Sequence, residues 1–241
     1  MVHGVRVSER HRTRAAHGGE THEDEPTLVD WLLARYPEIK NVGDDPALRP
    51  GIVHRLDKAT SGVMLVAKTQ ASFEHLKKIF QEHRMQKTYV ALVRGVPKES
   101  HGVIDAPIGI KNGTLKRSIH SSKMAKSAVT EYSVVKIFDK GDNGSEQYAL
   151  LKVNPKTGRT HQIRVHLASI GHPIVGDMLY GRKPVRGKTA RSASAAMASA
   201  EAARRTEAAP RLMLHAASIA FDGDGVNRFE FEAPLPEGFI T

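Results

Sequence analysis

The segment GIVHRLDKATSG, residues 51–62, sets one carboxylate, Asp57, among His54, Arg55, Lys58, Thr60 and Ser61. Ile52 and Val53 lead into it and Val63–Ala67 lead out, so a polar knot interrupts two apolar, strand-like runs. Arg55 and Lys58 favour the charged form of the acid between them. A charged carboxylate in a dry pocket is suited to attack on carbon and poorly suited to giving up a proton. The plainer alternative is a loop aspartate that caps backbone amides or pairs with Arg55. Two further residues could complete a site. Tyr89 lies on an alternating segment, where the ordinary role is a core tyrosine with its hydroxyl satisfied at an edge. Arg164 lies beside an apolar helical stripe, where arginines commonly snorkel to solvent. Turned inward, Arg164 would need a carboxylate, because an unpaired buried charge is costly, and Asp57 would serve.

The elements that must hold these residues can be read from periodicity. Residues 1–26 are polar, rich in His and Arg, and are expected to be a mobile segment. A helix follows from Thr27 as N-cap, with Leu28, Trp31, Leu32 and Arg35 on one face. GDDPALRPG, 43–51, is a turn-rich connector. Residues 62–68 read as a buried strand, and Thr69 caps a helix with an apolar stripe of Phe73, Leu76, Ile79 and Phe80. Residues 87–94 alternate as a strand, with Tyr89, Ala91 and Val93 sharing a face. Residues 128–138 and 147–153 form a strand pair across GDNGS. A helix is expected over 160–170, with Ile163, Leu167 and Ile170 in one stripe and Gly171 as its C-terminal stop. Strands at 212–221 and 228–232 close the chain. Several strand pairs have turns too short for parallel crossovers. The fold class is therefore α+β, a mixed and mostly antiparallel sheet flanked by helices.

Composition sets the outer bounds. At 241 residues with 40% hydrophobic residues, the chain can bury a substantial core. It has no Cys, which rules out disulfides, thiolate metal sites and thiol nucleophiles. The thirteen His residues are not spaced as ligands; His161 and His166 fall on different parts of a helix, so no metal site is expected. No GxGxxG, P-loop, HExxH or GxSxG motif occurs. Glycoside hydrolysis normally takes two facing carboxylates, and the 51–62 loop offers one. No apolar run approaches a membrane span, and the charged N-terminus is not a secretory leader. Net charge is +10, of which 182–211, an Ala/Ser/Arg segment of low complexity with eight Lys/Arg and two Asp/Glu, carries +6. Such a balance fits a polyanionic partner.

GIVHRLDKATSG resembles the HRLDxxTSG signature of RluA-type RNA pseudouridine synthases. QKTYVALVRG (86–95), AVTEY (128–132), TGRTHQIRVHLASIGHPIVGDMLYG (157–181) and LMLHAASIAF (212–221) resemble the same family, in its order. The likeness covers roughly 27–181 and 211–236. It implies the pseudouridine synthase catalytic fold and isomerisation of selected uridines in RNA, with no cofactor or metal. It implies Asp57 as the catalytic carboxylate, Tyr89 as the residue stacked on the base and a candidate for handling the C5 proton, and Arg164 as the salt-bridge partner of Asp57. Substrate contacts fall on His54, Arg55, Arg159, His161 and Leu214, with Leu214 an apolar wall beneath the base and Arg55 filling the gap left by a flipped nucleotide.

Three departures accompany the likeness. The first strand of the relatives looks absent, there is no room for an S4-type RNA-binding domain, and the 182–211 insertion is foreign to the pattern. The expectation is thus a mobile 1–26 segment followed by a catalytic domain over 27–241. It would act as a cytoplasmic monomer, away from membranes, on structured RNA: large-subunit ribosomal RNA first, tRNA second. The rival is a catalytically idle RNA-binding or ribosome-assembly protein on the same fold. A nucleosidase that releases free uracil is a further alternative.

Overall fold

A computed structural model describes residues 2–7, 26–111, 116–138, 147–181, 211–223 and 227–239. In chain order the elements are β1 (Val2–Val7), α1 (Leu28–Arg35), a 3-10 turn (Pro37–Asn41), β2 (Ser61–Ala67), α2 (Gln70–Gln81), β3 (Gln86–Arg94), β4 (His101–Asp105), β5 (Gly109–Ile110), β6 (Arg117–Ser118), β7 (Val129–Phe138), β8 (Tyr148–Pro155), α3 (Gln162–Ser169), β9 (Leu214–Asp222) and β10 (Arg228–Glu232). They divide into two compact units. The first comprises residues 1–89 and 215–241, the second residues 90–214, and the chain passes between them within β3 and at the start of β9.

In the first unit, β2 is the centre. All seven of its residues are buried, which explains why SGVMLVA is apolar without alternation. β1 pairs antiparallel along its length, Val2 with Ala67 through Val7 with Gly62. This corrects the expectation that the first strand is absent, and it has a physical cause: a fully buried strand leaves a row of backbone donors and acceptors that needs a partner. The rest of the expected mobile segment, 8–25, lies outside the described residues. β9 meets β2 in parallel at Ser61–Gly62 and His215–Ala216, and β10 pairs antiparallel with β9.

The helices form where capping and periodicity direct them. Thr27 and Asp30 make a reciprocal capping box on α1, and Leu28 and Leu32 are fully buried. Trp31, expected on the same face, is 37% exposed at the edge of that stripe. Thr69 caps α2 through the Ser72 amide, and Phe73, Leu76 and Ile79 enter the core. Each such side chain is worth roughly 1.5–3 kcal/mol of burial.

In the second unit, β8 lies between β7 and β3, and β4 pairs with the other side of β7. β7 and β8 are the antiparallel pair expected from sequence, with a bulge between Val134 and Lys136. β5 and β6 form a small separate pair. α3 starts two residues later than expected and stops at Ser169, with Gly171 at φ +87° just beyond. Ile163 and Leu167 are buried as expected, whereas Ile170 is 37% exposed because the helix has already ended. β1 with β2, β9 with β10, β4 with β7, β7 with β8 and β5 with β6 are antiparallel and β2 with β9 is parallel, so the α+β assignment holds. The insertion at 182–210 is outside the described residues. No described helix is long and apolar enough to cross a membrane.

Candidate active site

The 51–62 loop is built as a seat for its carboxylate. At its start Gly51 accepts from the Ala67 amide and Ile52 bridges to Val66, so the entry is laid against β2. Leu56, one residue before the acid, is a buried plug in the first unit's core. Thr60 donates its amide to the Asp57 carbonyl, closing the turn. Gly62 ends the loop at φ +131°, and a Cβ there would collide with the Ala216 backbone, so the close parallel approach of β2 and β9 demands glycine. Ser61 is fixed by a buried chain in which its hydroxyl donates to His215 Nδ1 at 2.8 Å. His215 Nε2 donates to the Ala233 carbonyl at 3.1 Å, which sets the tautomer, because a carbonyl only accepts.

Between these anchors Asp57 is half-buried, while Arg55, Lys58 and Ala59 are exposed. His54 does structural duty in this loop. Its Nε2 accepts the Leu65 amide at 2.9 Å, and its ring stacks on Phe80 with centroids 4.9 Å apart. Burial, and then the charge of Lys87, push its pKa down to about 3, so the imidazole stays neutral and remains an acceptor.

Tyr89 and Lys87 stand two residues apart on β3, on one face of the strand. Burial raises the Tyr89 phenol above the ordinary tyrosine value, and the negative charge of Asp57 adds to the shift. Asp57 and Tyr89 are therefore electrostatic neighbours, and the phenol is a neutral O–H at any ordinary pH. Burial lowers the Lys87 ammonium to about 8.

The second unit holds the remaining sequence candidates on the 157–164 turn and α3. Gln162, 4% exposed, is the bracket. Its Oε1 accepts from the Thr157 hydroxyl and the Arg159 amide, and its Nε2 donates to Val129 O and Thr130 Oγ1. Arg159 is half-buried, and its Nε donates to Ser127 O at 2.9 Å. His161, the N-cap of α3, adopts the left-handed conformation at φ +57°, strain of roughly 1–3 kcal/mol for a residue with a Cβ. Its Nδ1 bonds to the Tyr180 hydroxyl at 2.9 Å.

Arg164 is turned inward, and its partner in this unit is Asp177. Nε and Nη2 reach the two carboxylate oxygens at 2.8 and 3.0 Å, a two-pronged fork. The Arg164 side chain is 11% exposed and that of Asp177 is 1% exposed. Burial opposes charge on Asp177, but Arg164 and the amides of Tyr180 and Leu179 outweigh it and hold the carboxyl below its ordinary value. The Arg164 guanidinium also lies 5.2 Å from the centroid of the Tyr180 ring. Leu214, at the start of β9, is buried.

The family model for RNA pseudouridylate synthases matches residues 15–169, well over half of the chain. The chain belongs to this family. An uncharacterized RNA pseudouridine synthase of Aquifex aeolicus is 45% identical over 65% of this chain and 47% of its own length. A ribosomal large subunit pseudouridine synthase D of Pseudomonas aeruginosa is 37% identical over 93% of this chain and 63% of its own. The chain thus spans about half to three-fifths of these curated relatives. Among solved structures, human RNA pseudouridylate synthase domain containing 1 is 30% identical with a TM-score of 0.65, over 87% of this chain and 74% of that one.

Within this chain, the structure gathers the sequence candidates into two sets. Asp57, Tyr89, His54 and Arg55 lie in the first unit; Arg159, His161, Arg164 and Leu214 lie in the second. Sequence reasoning did not single out Asp177, Tyr180, Lys87 or His215. A weak signal existed for three of them: Asp177 and Tyr180 interrupt the apolar and glycine-rich run HPIVGDMLYG, and His215 is the polar residue in LMLHAAS.

Proposed function

We propose that this protein isomerises selected uridines to pseudouridine in structured RNA. Its proposed target is large-subunit ribosomal RNA, with tRNA second, and its setting the cytoplasm, as a monomer. The observation that carries the reading is Asp57 in an HRLD loop anchored at both ends, with its charge felt by the buried Tyr89 of β3, in a chain of this family. The names of the Pseudomonas and Borreliella burgdorferi relatives, both ribosomal large subunit pseudouridine synthase D, support the choice of ribosomal RNA.

The reaction breaks the bond between uracil N1 and ribose C1′, turns the base, and joins C5 to C1′. A proton leaves C5 and one is gained at N1. One carboxylate suffices because the base is kept in the pocket and no water has to be activated. Asp57 assists the cleavage by attack on the base or the sugar, or by taking a sugar proton. Tyr89 is a neutral phenol, so its share is a ring to stack on the base and a hydroxyl to relay a proton, while the standing base is Asp57. Arg164, oriented by Asp177, is the proposed counter-charge of Asp57. Leu214 supplies apolar surface, Arg55 the side chain that replaces the flipped nucleotide, and Arg159 and His161 contacts to the RNA. His54 serves the substrate indirectly, by keeping the loop on β2.

Asp57→Ala tests the reading. Uridine conversion, followed by chemical mapping of pseudouridine in ribosomal RNA, should vanish while RNA affinity stays within a few-fold of wild type. Wild-type protein that binds RNA but leaves no pseudouridine is instead an idle RNA-binding protein, and release of free uracil identifies a nucleosidase.

A further inference from the structure

The sequence between Ala106 and Ser127 has no acidic residue, and its described part from Lys116 to Lys126 carries Lys116, Arg117, Lys123 and Lys126. Lys116, Lys123 and Lys126 are exposed. Arg117 is half-buried, and its Nε is buried with no hydrogen-bond partner among the described residues. Burying part of a guanidinium without a partner is costly, an anion on the rest of its planar fork offsets that cost, and phosphate is the anion that fork suits best.

What holds this arginine is unusual in its reach. The Arg117 amide donates to the Tyr180 hydroxyl at 2.9 Å across 63 residues of sequence. That hydroxyl also bonds His161 Nδ1 at 2.9 Å, and the Tyr180 ring lies edge-on to His161 and beneath the Arg164 guanidinium. The Tyr180 amide in turn bonds Asp177, the partner of Arg164. The strained backbone of His161 is thus over-determined by its neighbours, as strain at working positions usually is.

We propose that Tyr180 is a positioning residue: it holds Arg117 as a contact to an RNA phosphate and ties that contact to His161 and Arg164. RNA seated on the basic segment would then be registered against the α3 side of the site through one hydroxyl. The inference rests on the reading that the ligand is RNA and goes beyond it by assigning a residue pair.

The test is a double-mutant cycle with Tyr180→Phe and Arg117→Gln, using large-subunit ribosomal RNA from cells lacking this protein. Tyr180→Phe keeps the ring and removes the hydroxyl. It should weaken RNA binding about tenfold, the scale of one hydrogen bond with a charged group behind it. It should also reduce the slope of log affinity against log salt by roughly one phosphate, about 0.7–0.9. Arg117→Gln should do the same, and the double variant should be no weaker than either single. Additive effects, or a salt slope unchanged in Tyr180→Phe, overturn the inference. A drop in thermal midpoint with an unchanged slope points to packing alone and overturns it too. Binding is measured apart from conversion. A wild-type protein that makes no pseudouridine therefore strikes the proposed function, and the cycle stays readable.

Discussion

Arg164 shows how a single side chain acquires direction. Alone on a helix it would swing through many rotamers, but Asp177 takes Nε and Nη2 together and Tyr180 lies against its face. A lysine at 164 keeps the charge and loses the fork, so orientation is lost with little change in field. Arg164→Lys should slow single-turnover pseudouridine formation by roughly 10²-fold, the scale of a misplaced catalytic group, with RNA affinity little altered. Near-normal conversion in that variant would show that the guanidinium geometry is not used. Asp177→Ala should also unfold the protein more easily, by up to roughly 3–5 kcal/mol in urea melts, because a buried cation loses its two-pronged partner.

The catalytic loop is held as an element, and its hold depends on pH through His54. The imidazole must be neutral to accept the Leu65 amide, and its folded pKa of about 3 lies below the ordinary 6.5. The unfolded chain therefore takes up a proton before the folded one. The contribution is complete above about pH 6.5 and drains away as pH falls toward 3, at about 1.4 kcal/mol per unit. His166, lowered first by burial, has the same sign. Urea midpoints should register a loss of up to roughly 2 kcal/mol from His54 between pH 6.5 and 5. In His54→Gln, whose amide oxygen still accepts, the acid dependence should be shallower. An identical pH slope in both proteins would remove His54 as the cause. The strand and helix around this loop were legible from periodicity and caps, since β2 and α2 follow local rules of burial and N-capping. The first strand was not, because its reason for existing is the open edge of β2, 55 or more residues away in the chain.

At the scale of the whole molecule, charge is distributed unevenly, with +6 of the net +10 in residues 182–211. If that segment binds phosphate, deleting 187–209 should flatten the salt dependence of RNA binding by roughly 0.7–0.9 for each phosphate it neutralises. Filter-binding measurements from 50 to 200 mM salt read this directly, and parallel lines for the two proteins would make the segment a passive loop. The family match and the TM-score of 0.65 to the human structure belong to the same scale, since they follow from many ordered blocks acting together.

The chemistry on offer and the order of its parts are legible in the chain alone. HRLD, KTY and HQIRVH place an acid, a phenol and a guanidinium on a loop, a strand and a helix, and short-range periodicity is enough to say so. What each of them leans on follows from long-range packing. Asp177 lies 13 residues from Arg164, Tyr180 lies 63 from Arg117, and His215 lies 154 from Ser61. Such partners are chosen by the need of buried polar groups to be satisfied wherever the fold brings them, and that choice leaves no period in the chain.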